Sequence, residues 1–226
     1  MNNVINAKII SKIFIQKDVV ELIIKPNKIR NFTPGSFVQL TLDIVSASER
    51  WPESRTFSIA NFSKDFFKFY IKDQGFYTNK ILHDTIINQE ITIKYPFGEM
   101  YNRKNVDDFH VMIAGGLGVT PFLSMIEYFN IEQKKSNYSL FYSVKEKKDF
   151  INRDYLINNV KNLHLFTSRE ITEYTNKRIQ LEDVVNSNKT GKNTHYYICG
   201  SKEFINYFQN GLLDKGILNI HLDEWQ

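Results

Sequence analysis

A short glycine-rich segment is the part of this sequence best suited to hold a phosphate group. Residues 115–121 read Gly-Gly-Leu-Gly-Val-Thr-Pro and follow the apolar run 111–114. Free N–H groups and the positive end of a helix dipole favour an anion where a strand turns into a helix, and Pro121 suits a first helical turn. The segment therefore predicts a phosphate-binding turn that uses Gly116, Gly118, Thr120 and Pro121. An ordinary strand-to-helix turn is the alternative that this motif alone leaves open.

Three further short motifs carry groups that suit a phosphorylated, aromatic ligand. An arginine offers a planar fork to a pyrophosphate, an aromatic side chain offers a face to a conjugated ring, and the start of a helix offers free amides. The arginine and the aromatic ring occur in Arg55-Thr56-Phe57-Ser58, and the start of a helix occurs at Gly75-Phe76-Tyr77-Thr78; the third motif, Cys199-Gly200, ends an apolar run. A surface arginine, a core phenylalanine and a plain helix cap are the structural alternatives.

In this order, the four motifs resemble the signatures of the ferredoxin–NADP reductase superfamily. Those signatures are Arg-x-Tyr/Phe-Ser, Gly-x-x-Ser/Thr, Gly-x-Gly-x-x-Pro and Cys-Gly, and the resemblance spans nearly the whole chain. It implies that Arg55 binds the flavin phosphates, that Phe57 stacks on the isoalloxazine and that Ser58 hydrogen-bonds near its reactive nitrogen. Thr56 is assigned with them to the cofactor site. It also implies that residues 75–78 close over the pyrophosphate. Phenylalanine at position 57 departs from the commoner tyrosine and makes flavin affinity less certain.

The resemblance also assigns residues to the nicotinamide coenzyme and to catalysis. It places the thiol of Cys199 against the carbon that gives up the hydride, with Gly200 leaving room for the ring. At the end of the chain it implies proton handling by Glu224 and a flavin covered or flanked by Trp225. The predicted catalytic residues are thus Ser58, Cys199 and Glu224. A small buried cysteine and a tryptophan packed on a strand are the structural alternatives.

Coenzyme choice is predicted from the loop that follows the apolar run 163–166. Ser168, Arg169 and Arg178 place a hydroxyl and two cations in a short stretch, which suits the 2′-phosphate of NADPH. The sequence therefore favours NADPH over NADH. A solvated, charge-neutralised loop is the alternative, because Glu170 and Glu173 lie among these cations.

The leading hypothesis is an FAD-dependent reductase that takes a hydride from NADPH and passes electrons to a separate acceptor, such as ferredoxin, flavodoxin or an oxygenase component. FMN and NADH are the alternative cofactors. A second hypothesis is an NAD(P)H:flavin oxidoreductase that releases free reduced flavin. A third is a nucleotide-binding redox sensor without turnover.

Composition bounds these hypotheses. The 226 residues suffice for two domains, and 29 basic against 25 acidic residues give a net charge of +4 without the basic stripe of a nucleic-acid binder. No apolar run reaches the length of a membrane span, so we expect no membrane insertion and a cytoplasmic location. A single cysteine excludes an internal disulfide and a four-cysteine iron–sulfur centre within these residues. Five scattered histidines show no metal-ligand spacing, and no metal site is predicted.

The pattern of elements changes near residue 103. Short β-branched and aromatic runs predict a six-stranded antiparallel β-barrel that binds flavin in residues 1–102; the runs are 7–15, 19–24, 37–42, 55–60, 66–71 and 90–94. Alternating strands and helices then predict an α/β parallel-sheet, NAD(P)-binding domain in residues 103–226. Its strands are 111–114, 139–144, 163–166, 196–199 and 217–221, and its helices are 121–130, 150–159, 180–185 and 202–215. A short helix from 78 to 83, capped by Thr78, is predicted in the first half.

Overall fold

A computed structural model describes residues 3–98, 100–186 and 193–223. Its first half contains six antiparallel strands in the order β4-β3-β6-β1-β2-β5. The two end strands approach each other, and the backbone N–H of Ala60 donates to Lys68 O across the gap at 2.8 Å. The predicted six-stranded barrel is confirmed. The strands are β1 Asn3–Gln16, β2 Val19–Pro26, β3 Phe37–Thr41, β4 Arg55–Ser58, β5 Phe67–Lys72 and β6 Glu90–Phe97.

The barrel interior is filled by branched and aromatic side chains, which alternate along parts of the strands with half-buried or exposed ones. Along β2, for example, Val20, Leu22 and Ile24 are fully buried while Lys25 is exposed. Burial of a large apolar side chain stabilises the fold by about 1.5–3 kcal/mol relative to exposure. The alternation therefore explains why short runs of this composition form strands.

The second half contains a parallel five-stranded sheet in the order β11-β10-β7-β8-β9. Helices follow most of its strands, as the alternating pattern predicts. The carboxyl ends of all five strands therefore lie at one edge of the sheet. The strands are β7 Phe109–Gly115, β8 Tyr138–Val144, β9 Asn162–Thr167, β10 Thr194–Cys199 and β11 Ile220–Asp223, and the helices are α2 Thr120–Ile131, α3 Arg153–Asn159, α4 Leu181–Asn186 and α5 Lys202–Asp214.

Among the boundaries that differ from the sequence predictions are those of the first helix and of strands β6 and β11. Helix α1 is Phe76–His83, two residues longer than expected, and its N-cap is Gly75. Strand β6 continues to Phe97, three residues beyond the predicted run 90–94. Strand β11 begins at Ile220, three residues later than predicted, because residues 217–219 precede its pairing with β10.

Packing divides the chain into two compact units. The barrel unit is Met1–Glu99 with Leu123–Met125, and the sheet unit is Met100–Phe122 with Ile126–Gln226. Each unit has its own apolar core, centred on residues such as Phe69 in the barrel unit and Phe141 in the sheet unit. Within the described ranges, no helix is long and apolar enough to cross a membrane.

Candidate functional site

The predicted phosphate-binding turn lies at the carboxyl edge of the parallel sheet. Strand β7 ends at Gly115, Gly116–Val119 form one 3₁₀ turn, and α2 begins at Thr120. Gly116 has a φ of 56°, a left-handed conformation that favours glycine, and no heavy atom lies within 4 Å of the position where its Cβ would be. The turn is therefore open at Gly116, as an approaching ligand requires.

Gly118 has a packing role in addition to the binding role that the sequence indicated, which stays a prediction. A Cβ on this residue would lie 2.2 Å from the carbonyl oxygen of Cys199. Glycine is needed here because the turn after β7 lies directly against the backbone at the end of β10. The motif thus brings the predicted residues Gly118, Cys199 and Gly200 together at one point of the sheet edge.

Thr120 and Pro121 form the start of α2. The hydroxyl of Thr120 donates to Leu117 O at 2.9 Å, and its side chain is buried. Pro121 stands in the first turn of the helix, where its missing N–H costs nothing. Both residues stabilise the turn, and their direct contact with a nucleotide stays a prediction.

Cys199 has a partner that the sequence did not reveal. The cysteine is fully buried at the end of β10, and its Sγ lies 3.8 Å from Oδ2 of Asp223 on the neighbouring strand β11. The register that pairs Cys199 with Asp223 creates this contact. The predicted residues Glu224 and Trp225 lie outside the described residues.

The loop after β9 is held by hydrogen bonds that leave its arginine exposed. Backbone N–H groups of Ser168 and Arg169 donate to Val144 O at 3.1 Å and to Lys145 O at 2.9 Å. The hydroxyl of Thr167 lies within 3.1 Å of Thr172 Oγ1 and Asn176 Oδ1, which closes the loop on itself. Ser168 and Arg169 are therefore fixed through their backbones, with their side chains exposed at the sheet edge.

The acids of this loop are engaged by Lys147. Its Nζ lies 2.6 Å from Glu173 Oε1, and its backbone N–H donates to Glu170 Oε2 at 2.6 Å. The hydrogen bond from Lys147 lowers the pKa of Glu173 to about 2. Among the ion pairs between described residues, none involves Arg169 or Arg178, whereas Lys177 is paired with Asp183 at 2.6 Å. The two arginines thus remain available to an anion.

One acid near Arg169, Glu146, is not among the residues predicted from the sequence. Glu146 precedes a 3₁₀ turn and forms a reciprocal capping box with Asp149. It also pairs with Lys148 at 2.6 Å, and this hydrogen bond, aided by the charge of Arg169, lowers the pKa of Glu146. The carboxylate is thereby used in capping, although its position just after β8 could have been read as a ribose-binding acid.

In the barrel unit, Arg55 lies beside the start of α1. Its guanidinium carbon is 5.0 Å from the ring centre of Tyr77, and among the described residues the guanidinium donates to Glu53 Oε1 at 3.0 Å and to Ser54 O at 2.8 Å. The side chain is 46% exposed. Two of its five donors are used, so the fork can still take a phosphate.

The N terminus of α1 is uncapped. Gly75 has a φ of 143° with open space around its Cβ position, and no described side chain caps this helix. The hydroxyl of Thr78 instead accepts from Gln74 N at 2.8 Å, so the predicted cap by Thr78 is wrong. The helix starts earlier than expected, and Thr78 lies within its first turn. The orphan amides at the start of α1 therefore face an open position.

Tyr77 and Phe76 have opposite environments. The hydroxyl of Tyr77 accepts from Leu42 N at 3.0 Å and donates to Glu53 O at 3.2 Å, and its ring is buried. It positions α1 and the segment that carries Arg55. Phe76 is 73% exposed, with Lys80 Nζ lying 4.4 Å from its ring centre.

The other predicted flavin residues lie on β4. Thr56 is half-buried opposite Gln39, and Ser58 is buried opposite Phe37. Phe57 is only 6% exposed and packs in the barrel core, 6.3 Å from Phe69 between ring centres. Its stacking on a flavin stays a prediction, because this structure shows little of its ring surface.

These arrangements fit anionic, phosphorylated ligands in both units. The barrel unit offers a partly free guanidinium beside helix amides that no described side chain caps, and the sheet unit offers an open left-handed turn and two arginines without ion pairs to described residues. Both are the donor sets that pyrophosphates require. Within the described part of the chain, no three His, Cys, Asp or Glu side chains are arranged to hold a metal ion.

Comparison with known proteins agrees with this geometry. Residues 112–210 match the oxidoreductase NAD-binding domain family. A curated relative is the 2-halobenzoate 1,2-dioxygenase electron transfer component of Burkholderia cepacia, 27% identical over 79% of this chain and 54% of its own length. The chain spans about half the length of the curated relatives it matches.

Solved structures share the whole fold. The flavohem-like FAD/NAD-binding domain of nitric oxide dioxygenase from Vibrio cholerae superposes with a TM-score of 0.82 at 16% identity, covering 97% of both chains. A ferredoxin NADP⁺ reductase from Neisseria gonorrhoeae, with bound FAD and NADP, gives 0.80 at 18% identity and covers 97% of this chain and 98% of its own. Residues 112–210 thus match the oxidoreductase NAD-binding domain family, and the resemblance of the chain to the ferredoxin–NADP reductase superfamily is confirmed.

Proposed function

We propose that this chain is a flavin-dependent reductase that takes a hydride from NADPH and passes electrons through FAD to a separate acceptor. The observation that carries the proposal is that each compact unit has its own arrangement for a phosphorylated ligand. One is Arg55 beside the uncapped start of α1, and the other is the open turn at Gly116. Bound flavin would supply the chemistry that links a two-electron donor to an acceptor of single electrons.

The barrel residues bind and orient the flavin. Arg55 and the first amides of α1 hold its pyrophosphate, with Gly75 leaving the approach open. Ser58 supplies a hydroxyl near the reactive nitrogen, and Phe57 supplies an apolar surface. Tyr77 keeps α1 and Arg55 in a fixed relation through its hydrogen bonds to residues 42 and 53.

The sheet residues bind and orient the coenzyme. The open turn at Gly116 takes the pyrophosphate, and Gly118 allows the end of β10 to lie directly against this turn. The carboxylate of Asp223 lies within reach of the thiol hydrogen of Cys199 and fixes the position of the sulfur. We keep proton handling by Glu224 and flavin covering by Trp225 as parts of the proposal.

NADPH is favoured over NADH because Arg169 and Arg178 are exposed and form none of the ion pairs found between described residues. Lys147 engages both Glu170 and Glu173, which removes the main argument for a neutralised loop. A guanidinium with free donors is suited to bind a 2′-phosphate through two parallel hydrogen bonds.

The acceptor we propose is a separate redox protein or oxygenase component. The Burkholderia cepacia relative is the electron transfer component of a dioxygenase, which supports an acceptor of this class. The net charge of +4 favours association with an acidic partner.

A second candidate is an NAD(P)H:flavin oxidoreductase that releases free reduced flavin. Phe57 favours it, because the residue lacks a tyrosine hydroxyl and its ring is only 6% exposed. Both features reduce the contacts available to retain a flavin.

Gel filtration after incubation with FAD or FMN separates the candidates. We expect the chain to retain FAD at one per chain and to oxidise NADPH with ferricyanide as acceptor. A colourless protein that reduces added flavin would support the second candidate. Retained flavin or bound NADP⁺ without NADPH oxidation by any acceptor would support a non-catalytic sensor. An Arg55→Ala variant should lose FAD retention, and a Lys72→Ala variant, which breaks only an exposed pair with Asp18, should keep it.

A further inference from the structure

The ring of Phe204 contacts both turns that form the coenzyme edge of the sheet. Phe204 is the third residue of α5, and its N–H donates to the N-cap Ser201 Oγ at 3.3 Å. A Cβ added to Gly115 would lie 3.1 Å from Cδ2 and Cγ of this ring. A Cβ added to Gly200 would lie 2.8 Å from its Cδ1. The ring therefore fills the space that two missing side chains leave.

The turn after β7 and the turn after β10 also lie close to each other. The Cβ position of Gly200 is 3.4 Å from the Cα of Gly115, and the Cβ position of Gly118 is 2.8 Å from the backbone nitrogen of Gly200. The turn after β7 and the turn after β10 thus meet each other and meet Phe204. Because the ring occupies the space beside both glycines, we expect a change in the ring to alter how the two turns pack against each other.

A neighbouring phenylalanine provides a contrast on the same helix. Phe208 lies 4.8 Å from Phe204 between ring centres and is fully buried in the core of the sheet unit. Phe204 is only partly buried, although it is the residue nearest to two glycines of the site. Burial alone therefore does not explain a large ring at position 204.

We propose that Phe204 is a positioning residue for the coenzyme, because its ring sets the spacing between the Gly116 turn and Cys199–Gly200. Phe204 acts through the two turns and not by touching the reacting atoms. This inference rests on the proposed binding of NADPH at this edge. It adds a residue outside the glycine and cysteine motifs to the group that determines coenzyme affinity.

The test compares Phe204→Leu with the matched control Phe208→Leu, using calorimetric binding of NADP⁺ and steady-state oxidation of NADPH. We expect Phe204→Leu to raise the Kd for NADP⁺ and the KM for NADPH about tenfold, with a smaller effect on kcat. Phe208→Leu should lower the melting temperature and leave both constants within about twofold of wild type, since it alters the core and not the turns.

A second variant tests the contact itself. Gly115 has extended backbone geometry, with φ −114° and ψ 117°, so Gly115→Ala introduces no backbone strain. Its methyl group should push the ring and raise the Kd about threefold, whereas in a Phe204→Leu background the same change should cost nothing further. Gly115→Ala alone remains informative if either leucine variant folds poorly, as checked by circular dichroism.

The outcomes separate this inference from the proposed function. Wild-type protein that binds no NADP⁺ would overturn the function and the inference together. Wild-type protein that binds NADP⁺, with Phe204→Leu within twofold of it and Gly115→Ala additive, would overturn only the positioning role. A Phe208→Leu variant that weakens binding as much as Phe204→Leu would also overturn it.

Discussion

The two edges of the parallel sheet are built from different chemistry. At the carboxyl edge lie the glycine turns, a buried thiol and exposed arginines that lack ion pairs with described residues. At the amino edge, polar side chains are largely buried and bonded to one another; these are Asp108, His110, His195, Tyr197 and His221. At the carboxyl edge, Arg169 and Arg178 form no ion pair with described residues, whereas the polar side chains of the amino edge are hydrogen-bonded to one another.

The hydrogen bonds at the amino edge fix the roles of its histidines. His195 Nε2 lies 3.0 Å from Asp108 Oδ2, and His110 Nε2 lies 2.9 Å from Asn105 O. Because a carboxylate and a carbonyl only accept, both Nε2 atoms must donate. His110 Nδ1 then accepts from the hydroxyl of Tyr197 at 3.1 Å when the ring is neutral.

This contrast shows how to tell a ligand site from a stabilising cluster. Buried polar groups that satisfy each other stabilise a fold and offer nothing to a ligand. Open turns and cations without ion-pair partners cost stability or contribute none. Their presence at the carboxyl edge therefore favours the proposed binding of a ligand there. Substitutions at the two edges should accordingly affect different measurements.

The largest effect is expected for Gly118→Ala. Its Cβ would lie 2.2 Å from Cys199 O, so the backbone of one turn must move. We expect a loss of about 2–4 kcal/mol in the free energy of unfolding and at least a hundredfold rise in the Kd for NADP⁺. Urea unfolding and calorimetry measure the two effects. Gly116→Ala is the control, since it meets open space and should cost only about 1 kcal/mol for its left-handed backbone. Equal losses of unfolding free energy in Gly118→Ala and Gly116→Ala would show that the close approach of Gly118 to Cys199 O does not matter.

The amino edge should determine how stability depends on pH. Burial lowers the pKa of His110 to about 4 from its ordinary value of 6.5, and burial followed by the charge of His195 lowers the pKa of His221. Below pH 6.5 the unfolded chain therefore takes up protons that the folded chain refuses. The free energy of unfolding should have its full value above pH 6.5. Protonation of His110 in the unfolded chain should lower it by about 3 kcal/mol between pH 6.5 and 4.

Urea unfolding of wild type and of His110→Gln from pH 7 to 4.5 tests this expectation. The variant should be less stable at pH 7 and should have a flatter pH profile. An unchanged slope in the variant would show that His110 does not carry the effect.

At the carboxyl edge, Arg169→Ala should raise the KM for NADPH about tenfold and leave the KM for NADH unchanged, because only NADPH carries the 2′-phosphate. Steady-state kinetics with both coenzymes measure this. Lys177→Ala is the matched control, because that lysine is already paired with Asp183. Equal losses for the two coenzymes would show that Arg169 does not select between them.

The smallest effect is expected for Lys147→Ala. The change frees Glu173, whose negative charge then opposes the 2′-phosphate, so the KM for NADPH should rise about twofold to threefold. Lys148→Ala, which breaks the pair with Glu146, removes a similar charge and serves as control. A lower KM in Lys147→Ala would contradict the role of Lys147 as the partner of the loop acids.

Much of the fold was predictable because its signals are local. The alternation of Val20, Leu22 and Ile24 identifies a strand without knowledge of its neighbours, and the glycines after β7 identify a turn. Arg55 and the helix α1 were likewise recognisable from short local motifs. Thr78 was misread as the cap of α1 because the sequence does not identify Gly75 as the N-cap.

The missed features depend on contacts between residues distant in sequence. Asp223 reaches Cys199 only through the register of β10 and β11, and Phe204 meets Gly115 only because α5 packs at the sheet edge. The histidines are scattered in the sequence, yet the parallel strands bring Nδ1 of His195 to within 3.1 Å of Nε2 of His221. Register and packing of this kind leave no local pattern.

The proposed function depends on one step, the transfer of a hydride from NADPH to a flavin bound by this chain. An anaerobic absorbance titration of the flavin-loaded protein with NADPH, and separately with NADH, tests it most directly. We predict that the flavin band bleaches with about one NADPH per flavin, and faster with NADPH than with NADH. A chain that retains flavin and binds NADP⁺, but whose flavin band is unchanged by either reduced coenzyme, would contradict the account.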